Sequence, residues 1–143
     1  MFSLTCKTAI KAVIYLGAKM ESGDKAGIKE IAAYIGASEH SVGKFLQTLV
    51  QNNIIKSMKG PAGGFFLSES QLQQPVINIV YAIDGREVFT ECGLGLRKCS
   101  AAQPCPIHHD YKKARDLLET LFKEKKIIHL CDPVNGGAAF LYI

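Results

Sequence analysis

Two apolar stripes of helical period sit almost back to back in this chain: Ile28, Ile31, Ala32 and Ile35, then Val42, Phe45, Leu46 and Leu49, with only the six residues from Gly36 to Ser41 between them. Apolar residues three and four apart turn one helix face toward a core. Glycine can end the first helix in a left-handed conformation, and serine can cap the next by accepting from its free backbone amides. So short a link between amphipathic helices predicts a helix-turn-helix. An earlier stripe between Thr8 and Met20, made of Ile10, Val13, Ile14 and Gly17, predicts a helix before these two, with Lys7, Lys11 and Lys19 on its wet side. A Ser22-Gly23-Asp24 turn joins it to the second helix, and Asn52-Asn53 stops the third.

The next segment narrows the fold. Strand-like Ile54-Ile55 and Phe65-Phe66-Leu67 flank a tip of glycine, proline and lysine within Lys56-Ser-Met-Lys-Gly-Pro-Ala-Gly-Gly-Phe-Phe-Leu67, which reads as a hairpin with a basic end. Three helices followed by a hairpin predict a mainly α, winged helix-turn-helix fold. Pro75 is expected to open a further helix holding Ile79, Val80 and Ile83 and ending near Gly85. Glu91 to Pro106, rich in Gly, Cys and Pro, has no helical period and reads as a loop. Tyr111, Ala114, Leu117, Leu118, Leu121 and Phe122 then sustain an apolar face for about four turns, a long C-terminal helix. The tail from Asp132 to Ile143, interrupted by Pro133 and Gly136-Gly137, suggests no element or role. The expected division is a DNA-binding winged helix over 1–70, a connecting helix over 71–90, a cysteine-rich loop over 91–106, and a dimerisation helix with its tail over 107–143.

A chain of 143 residues has room for one core and an appendage. Its net charge of +4 permits a polyanionic partner without requiring one. Placement says more: residues 1–70 carry eight Lys and no Arg against five acidic residues, while the remainder carries nine basic against eight acidic. No apolar run is long enough to cross a bilayer and no signal-like leader is visible, so a cytoplasmic protein without a membrane partner is expected.

On the third helix, the face opposite Val42, Phe45, Leu46 and Leu49 carries His40, Ser41, Lys44 and Gln47, with Ser38 at its start. Gln can pair with adenine, Lys with guanine or phosphate, and Ser with either a base edge or the backbone. The same groups could form an ordinary solvated face; the wing that follows favours double-stranded DNA as the partner. In that wing Lys56 and Lys59 supply charge, while Gly60, Gly63 and Gly64 remove bulk that would keep it from a phosphate chain or minor groove.

Cys92, Cys99 and Cys105 crowd into the loop, with His108 and His109 just beyond. Thiolates in a glycine-rich loop suit an iron-sulfur cluster. Zinc is an alternative, although only Cys105 to His108 has its usual ligand spacing, and uncomplexed thiols are another. Cys6 and Cys131, each beside apolar sequence, read as small buried residues.

Ile28-Lys-Glu-Ile-Ala32, Phe45-Leu-Gln-Thr-Leu49, Lys59-Gly-Pro-Ala-Gly-Gly-Phe65 and the three-cysteine loop, taken in this order, closely resemble the Rrf-type winged-helix transcriptional regulators. That family includes the iron-sulfur cluster regulator IscR and the nitric-oxide-sensing repressor NsrR, and the resemblance runs from about Leu4 to Leu130. It implies a homodimer with crossing long helices. It also implies a cluster, two-iron in preference to four-iron and easily lost on purification, held by Cys92, Cys99, Cys105 and His108, with His109 able to replace His108. Two features depart from the family pattern. Ala9 stands near the place of the N-terminal aspartate ligand of the NsrR branch, and Lys59 stands where many relatives have arginine, so a point charge replaces a planar fork. The function implied is DNA-binding regulation, repression in preference to activation, governed by iron-sulfur, redox or nitric oxide status. A cluster-free repressor controlled by thiol oxidation or a protein partner is the alternative, and a thiol- or metal-dependent enzyme is a third reading.

Overall fold

The chain is described by a computed structural model over residues 1–20 and 23–141. Ser3 accepts from the backbone N–H of Cys6 and so caps α1 (Leu4–Lys19). The helix begins a turn before the predicted Thr8. Its first buried residues, Cys6, Thr8 and Ala9, are small or polar and add little to an apolar stripe. The turn to α2 falls partly outside the described residues, since Ser22 is not among them; Gly23 donates to the Met20 carbonyl at 2.9 Å.

The helix-turn-helix forms as the spacing predicts. α2 (Ile28–Ile35) ends at Gly36, whose φ of 69° is left-handed, and α3 (Glu39–Gln51) starts at Ser38, whose side chain accepts from Ser41 N–H. Ile31 and Ala32 from α2 and Val42, Phe45, Leu46 and Leu49 from α3 are at most 4 % exposed and join Ala9, Ala12, Val13 and Leu16 of α1 in one core. Each large side chain so buried contributes about 1.5–3 kcal/mol. Together they outweigh the ~1 kcal/mol of the Ser38 cap, so packing rather than capping holds α3 in place.

The hairpin consists of β1 (Lys56–Met58) and β2 (Gly64–Phe66), antiparallel, with Lys56 opposite Phe66 and Met58 opposite Gly64. Ile54 and Ile55, predicted as strand, lie before it instead: both are about 1 % exposed and fasten the wing to the core. A second tether joins Ala26 to Phe65, whose backbones exchange hydrogen bonds of 3.1 and 2.8 Å. A short α4 (Glu69–Leu72) follows that apolar periodicity could not reveal; its sequence signal is the capping box of Ser68 and Gln71. The helix expected from Pro75 begins later, as α5 (Ile77–Ile83), because Pro75 is taken up in an antiparallel bridge with Lys126. It ends before Gly85 as expected.

After a 3₁₀ turn at Glu87–Phe89, the stretch to Pro106 is irregular, as predicted, and α6 (His108–Glu124) is the long helix. The tail corrects the sequence reading, which assigned it no element. α7 (Ile127–Asn135) contains Pro133 and packs Ile127 and Cys131 into the same core as α1, with the Cys131 thiol 3.7 Å from the Ile14 carbonyl. A proline so near a helix end interrupts little of the ladder. Tyr142 and Ile143, the last of that tail, lie outside the described residues. The observed architecture is mainly helical with a two-stranded wing. Among the described residues no helix is long and apolar enough to cross a membrane.

Candidate functional site

Burying Val42, Phe45, Leu46 and Leu49 forces the opposite face of α3 outward, and Ser38, His40, Ser41, Lys44 and Gln47 are all exposed. Ser38 and Ser41 engage each other, the first hydroxyl donating to the second at 2.9 Å. His40, Lys44 and Gln47 instead line an open groove of about 630 Å³ whose other wall includes Ile28 from α2 and Ser57 and Phe65 from the wing. The outward face of α3 and the wing base thus border one hollow. A hollow of about 660 Å³ between α1, α4 and α7, lined by Gly17, Glu69, Cys131 and Asp132 among others, shares no residue with it.

In the wing, Lys56, Lys59 and Gly60 are exposed and Gly63 and Gly64 half-buried. The last two have an internal reason to be glycine beyond the clearance read from the sequence. A side chain at Gly63 would strike the Met58 carbonyl, and one at Gly64, where φ is 141°, would meet the Ala26 carbonyl at 2.9 Å. Lys25, which no motif singles out, lies with its ammonium 5.4 Å from the centre of the Phe66 ring and adds a cation beside the hairpin.

The cysteine loop is docked on α6. His108, Tyr111 and Arg115, three and four residues apart, share one helix face. His108 Nδ1 lies 3.2 Å from Cys99 Sγ, and the Arg115 guanidinium donates to the Glu91 carbonyl at 2.5 Å and to Cys99 Sγ at 3.6 Å. Gly93 lies so close against Tyr111 that a Cβ there would be 2.7 Å from its ring. Cys92 Sγ stands 3.6 Å from Cys105 Sγ and accepts from the Leu94 amide at 3.4 Å. The four ligand candidates therefore gather as two pairs, Cys92 with Cys105 and Cys99 with His108. Among the described residues no three His, Cys, Asp or Glu side chains are placed to hold one metal ion. His109 is exposed, whereas His108 is 6 % exposed. Ala9 is fully buried in α1 and offers no ligand atom.

Charge at the loop is set by backbone and burial. The Leu94 and Leu96 amides beside its sulfur, with the Cys105 thiol, hold the Cys92 thiol below its ordinary range despite the opposing effect of burial. Burial, with Asp84 adding to it, pushes Cys6 up to about 12, and burial with Asp132 does the same for Cys131. These two behave as the core residues their surroundings predict. Arg115, which sequence pattern did not flag, is 5 % exposed and leaves Nε without a hydrogen-bond partner. Its only sequence signal is its place seven residues after His108.

A family model described as Rrf2, iron-dependent transcriptional regulator, matches residues 2–133. The NsrR transcriptional regulator of Geobacillus kaustophilus is 33% identical over 94 residues, 66% of this chain and 58% of that protein. Among solved structures, CymR, the global cysteine regulator of B. subtilis, superposes with a TM-score of 0.74 at 19% identity, covering 92% of this chain and 96% of that one. IscR of T. potens gives 0.72 at 16% identity over 98% of this chain and 92% of its own. At such identities the two structures speak for the fold, which they share with the wing and helices described above. The family match spans nearly all of α1 to α7, and the chain belongs to the Rrf2 family of transcriptional regulators.

Proposed function

We propose that the chain is a homodimeric, DNA-binding repressor whose hold on duplex DNA is set by a two-iron cluster bound at Cys92, Cys99, Cys105 and His108. The observation that carries this reading is the pairing of the four candidates, 3.6 Å between Cys92 and Cys105 and 3.2 Å between Cys99 and His108. Two thiolates on one tetrahedral metal with bonds of about 2.3 Å stand roughly 3.8 Å apart. A two-iron cluster takes two protein ligands at each iron and admits imidazole at one of them, so two pairs suit it better than four ligands each bound to a separate iron. When bound, such a cluster supplies one-electron redox chemistry and reactivity toward oxidants and nitric oxide.

The rest follows from the chain. His108 opens α6, and Tyr111 and Arg115 continue the face on which the loop rests, so a rearranged loop bears directly on that helix. Turned away from the loop, Leu117 is 72% exposed and Leu121 47% exposed, apolar surface that a second copy would cover. Docking of α6 on its symmetry mate sets the spacing of the two α3 helices, and successive major grooves lie about 34 Å apart. A hundredfold change in DNA affinity corresponds to about 2.7 kcal/mol, within reach of a few altered loop contacts. In this division, residues up to about 70 meet DNA, 91–106 together with His108 hold the cluster, and α6 joins the copies.

Anaerobic reconstitution with ferrous iron and sulfide tests the reading. It is expected to give about two irons per chain and a visible absorption that Cys99→Ala abolishes. Wild-type protein that stays colourless and iron-free under those conditions would refute the cluster. The Cys92–Cys105 distance also favours a second reading, in which peroxide takes two electrons and two protons from that pair to form a disulfide and water. Its signature is a two-dalton mass loss confined to this pair, with altered DNA affinity and no iron requirement.

A further inference from the structure

Arg115 stands out among the residues that the reading above leaves without a task. The residue is 5 % exposed, and its guanidinium donates to the Glu91 carbonyl and to Cys99 Sγ and has a buried Nε–H with no acceptor. Among the described residues no carboxylate forms an ion pair with it. The neighbouring Asp116 carboxylate feels its charge through space but makes no ion pair with it and is tied to Lys112, and the direct partners are the Tyr111 ring, 5.9 Å from centroid to guanidinium carbon, the Glu91 carbonyl and Cys99 Sγ. A fully ionised guanidinium kept from water with no anion in contact is unfavourable, and arginine cannot shed its proton to escape. Arg115 thus places a buried positive charge beside Cys99 with no anion in direct contact to meet it.

We infer that Arg115 is the counter-charge of the cysteine site, a positioning residue that favours the most negatively charged form of whatever Cys92, Cys99, Cys105 and His108 hold. The inference rests on the cluster reading. Three thiolates and a neutral imidazole around an oxidised two-iron core carry one net negative charge, and accepting one electron makes it two. Arg115 stabilises the second state more than the first, which raises the midpoint potential. It also fixes the Cys99 limb of the loop to α6, so the charge at the site and the seating of the loop depend on one side chain.

The experiment compares wild type, Arg115→Lys and Arg115→Met as full chains, reconstituted without air and titrated with dithionite in the presence of mediators, with iron per chain and thermal unfolding measured alongside. Arg115→Met is expected to shift the one-electron equilibrium at least tenfold toward the oxidised form, about 59 mV, while Arg115→Lys stays near wild type. Retention of iron by Arg115→Lys together with its loss from a still-folded Arg115→Met would also support the inference, since the two differ in charge. Lys and Met variants that share one midpoint, or that lose iron equally, would overturn it, because shape and packing would then explain the residue. Wild type that takes up no iron would remove the premise, and it does so without reference to the variants, so that failure is separable from a failure of Arg115.

Discussion

Three of the five cysteines are set apart by their surroundings. Cys6 and Cys131, raised to about 12 by burial, are poor nucleophiles, whereas Cys92 is held below the ordinary thiol range by backbone donors. Brief alkylation of the folded, metal-free chain at pH 8 is expected to label Cys92 well before Cys6 or Cys131, as read by peptide mass spectrometry. Labelling of the buried pair first would contradict this environment. Glu30 offers a test by pH. It accepts from Lys19 at 2.6 Å and from Tyr15 at 2.7 Å, and these bonds hold its carboxyl below the usual range. A depressed carboxyl contributes stability above its unfolded pKa and loses it as pH falls through the folded value. The melting temperature of Glu30→Gln should therefore fall less steeply than that of wild type below about pH 5, with the gap closing in high salt; parallel curves would remove the contact from the account. The ligand candidates and the outward face of α3 were legible in residue type and spacing. Arg115 was not, because its importance comes from burial beside Cys99, and a lone arginine on an amphipathic helix carries no such signal in sequence.

Elements with a strong period were legible, and those made by tertiary contact were not. α2, α3 and α6 follow their stripes, while Ile54-Ile55 is strand-like in composition yet serves as an anchor, and α7 escaped notice because Pro133 and the glycines after it suggest a break. α6 serves two faces at once. Leu118 and Phe122 pack toward Phe89 and Val80, and Phe122 meets Phe2 with ring centroids 5.0 Å apart, while Leu117 and Leu121 face out. Leu117→Glu combined with Leu121→Lys should halve the mass seen by sedimentation while leaving the helical circular dichroism intact. A double variant with unchanged mass would move the interface elsewhere. Within α3, Leu46→Ala is expected to destabilise by about 2–5 kcal/mol and Ser38→Ala by ~1 kcal/mol, both from denaturant unfolding; a reversal of that order would mean that the cap, not the core, holds the helix.

At the scale of the molecule, one core ties the helix-turn-helix to α7, the C-terminal helix. Ile127 and Cys131 lie in the same cluster as Val13, Leu46 and Leu49. Phe122 of α6, the helix on which the cysteine loop rests, packs against both core clusters, so under the proposed regulation a rearranged loop would reach α3 through packed elements rather than a flexible linker. In the function proposed, α3 and the wing grip a duplex together, each with its own lysine. The most direct test is the salt dependence of affinity for a duplex selected by this protein from a random pool, measured for wild type, Lys44→Ala and Lys59→Ala. If both lysines meet phosphates, each single substitution lowers the slope of log affinity against log salt by about 0.9. Slopes unchanged in both variants would contradict the account.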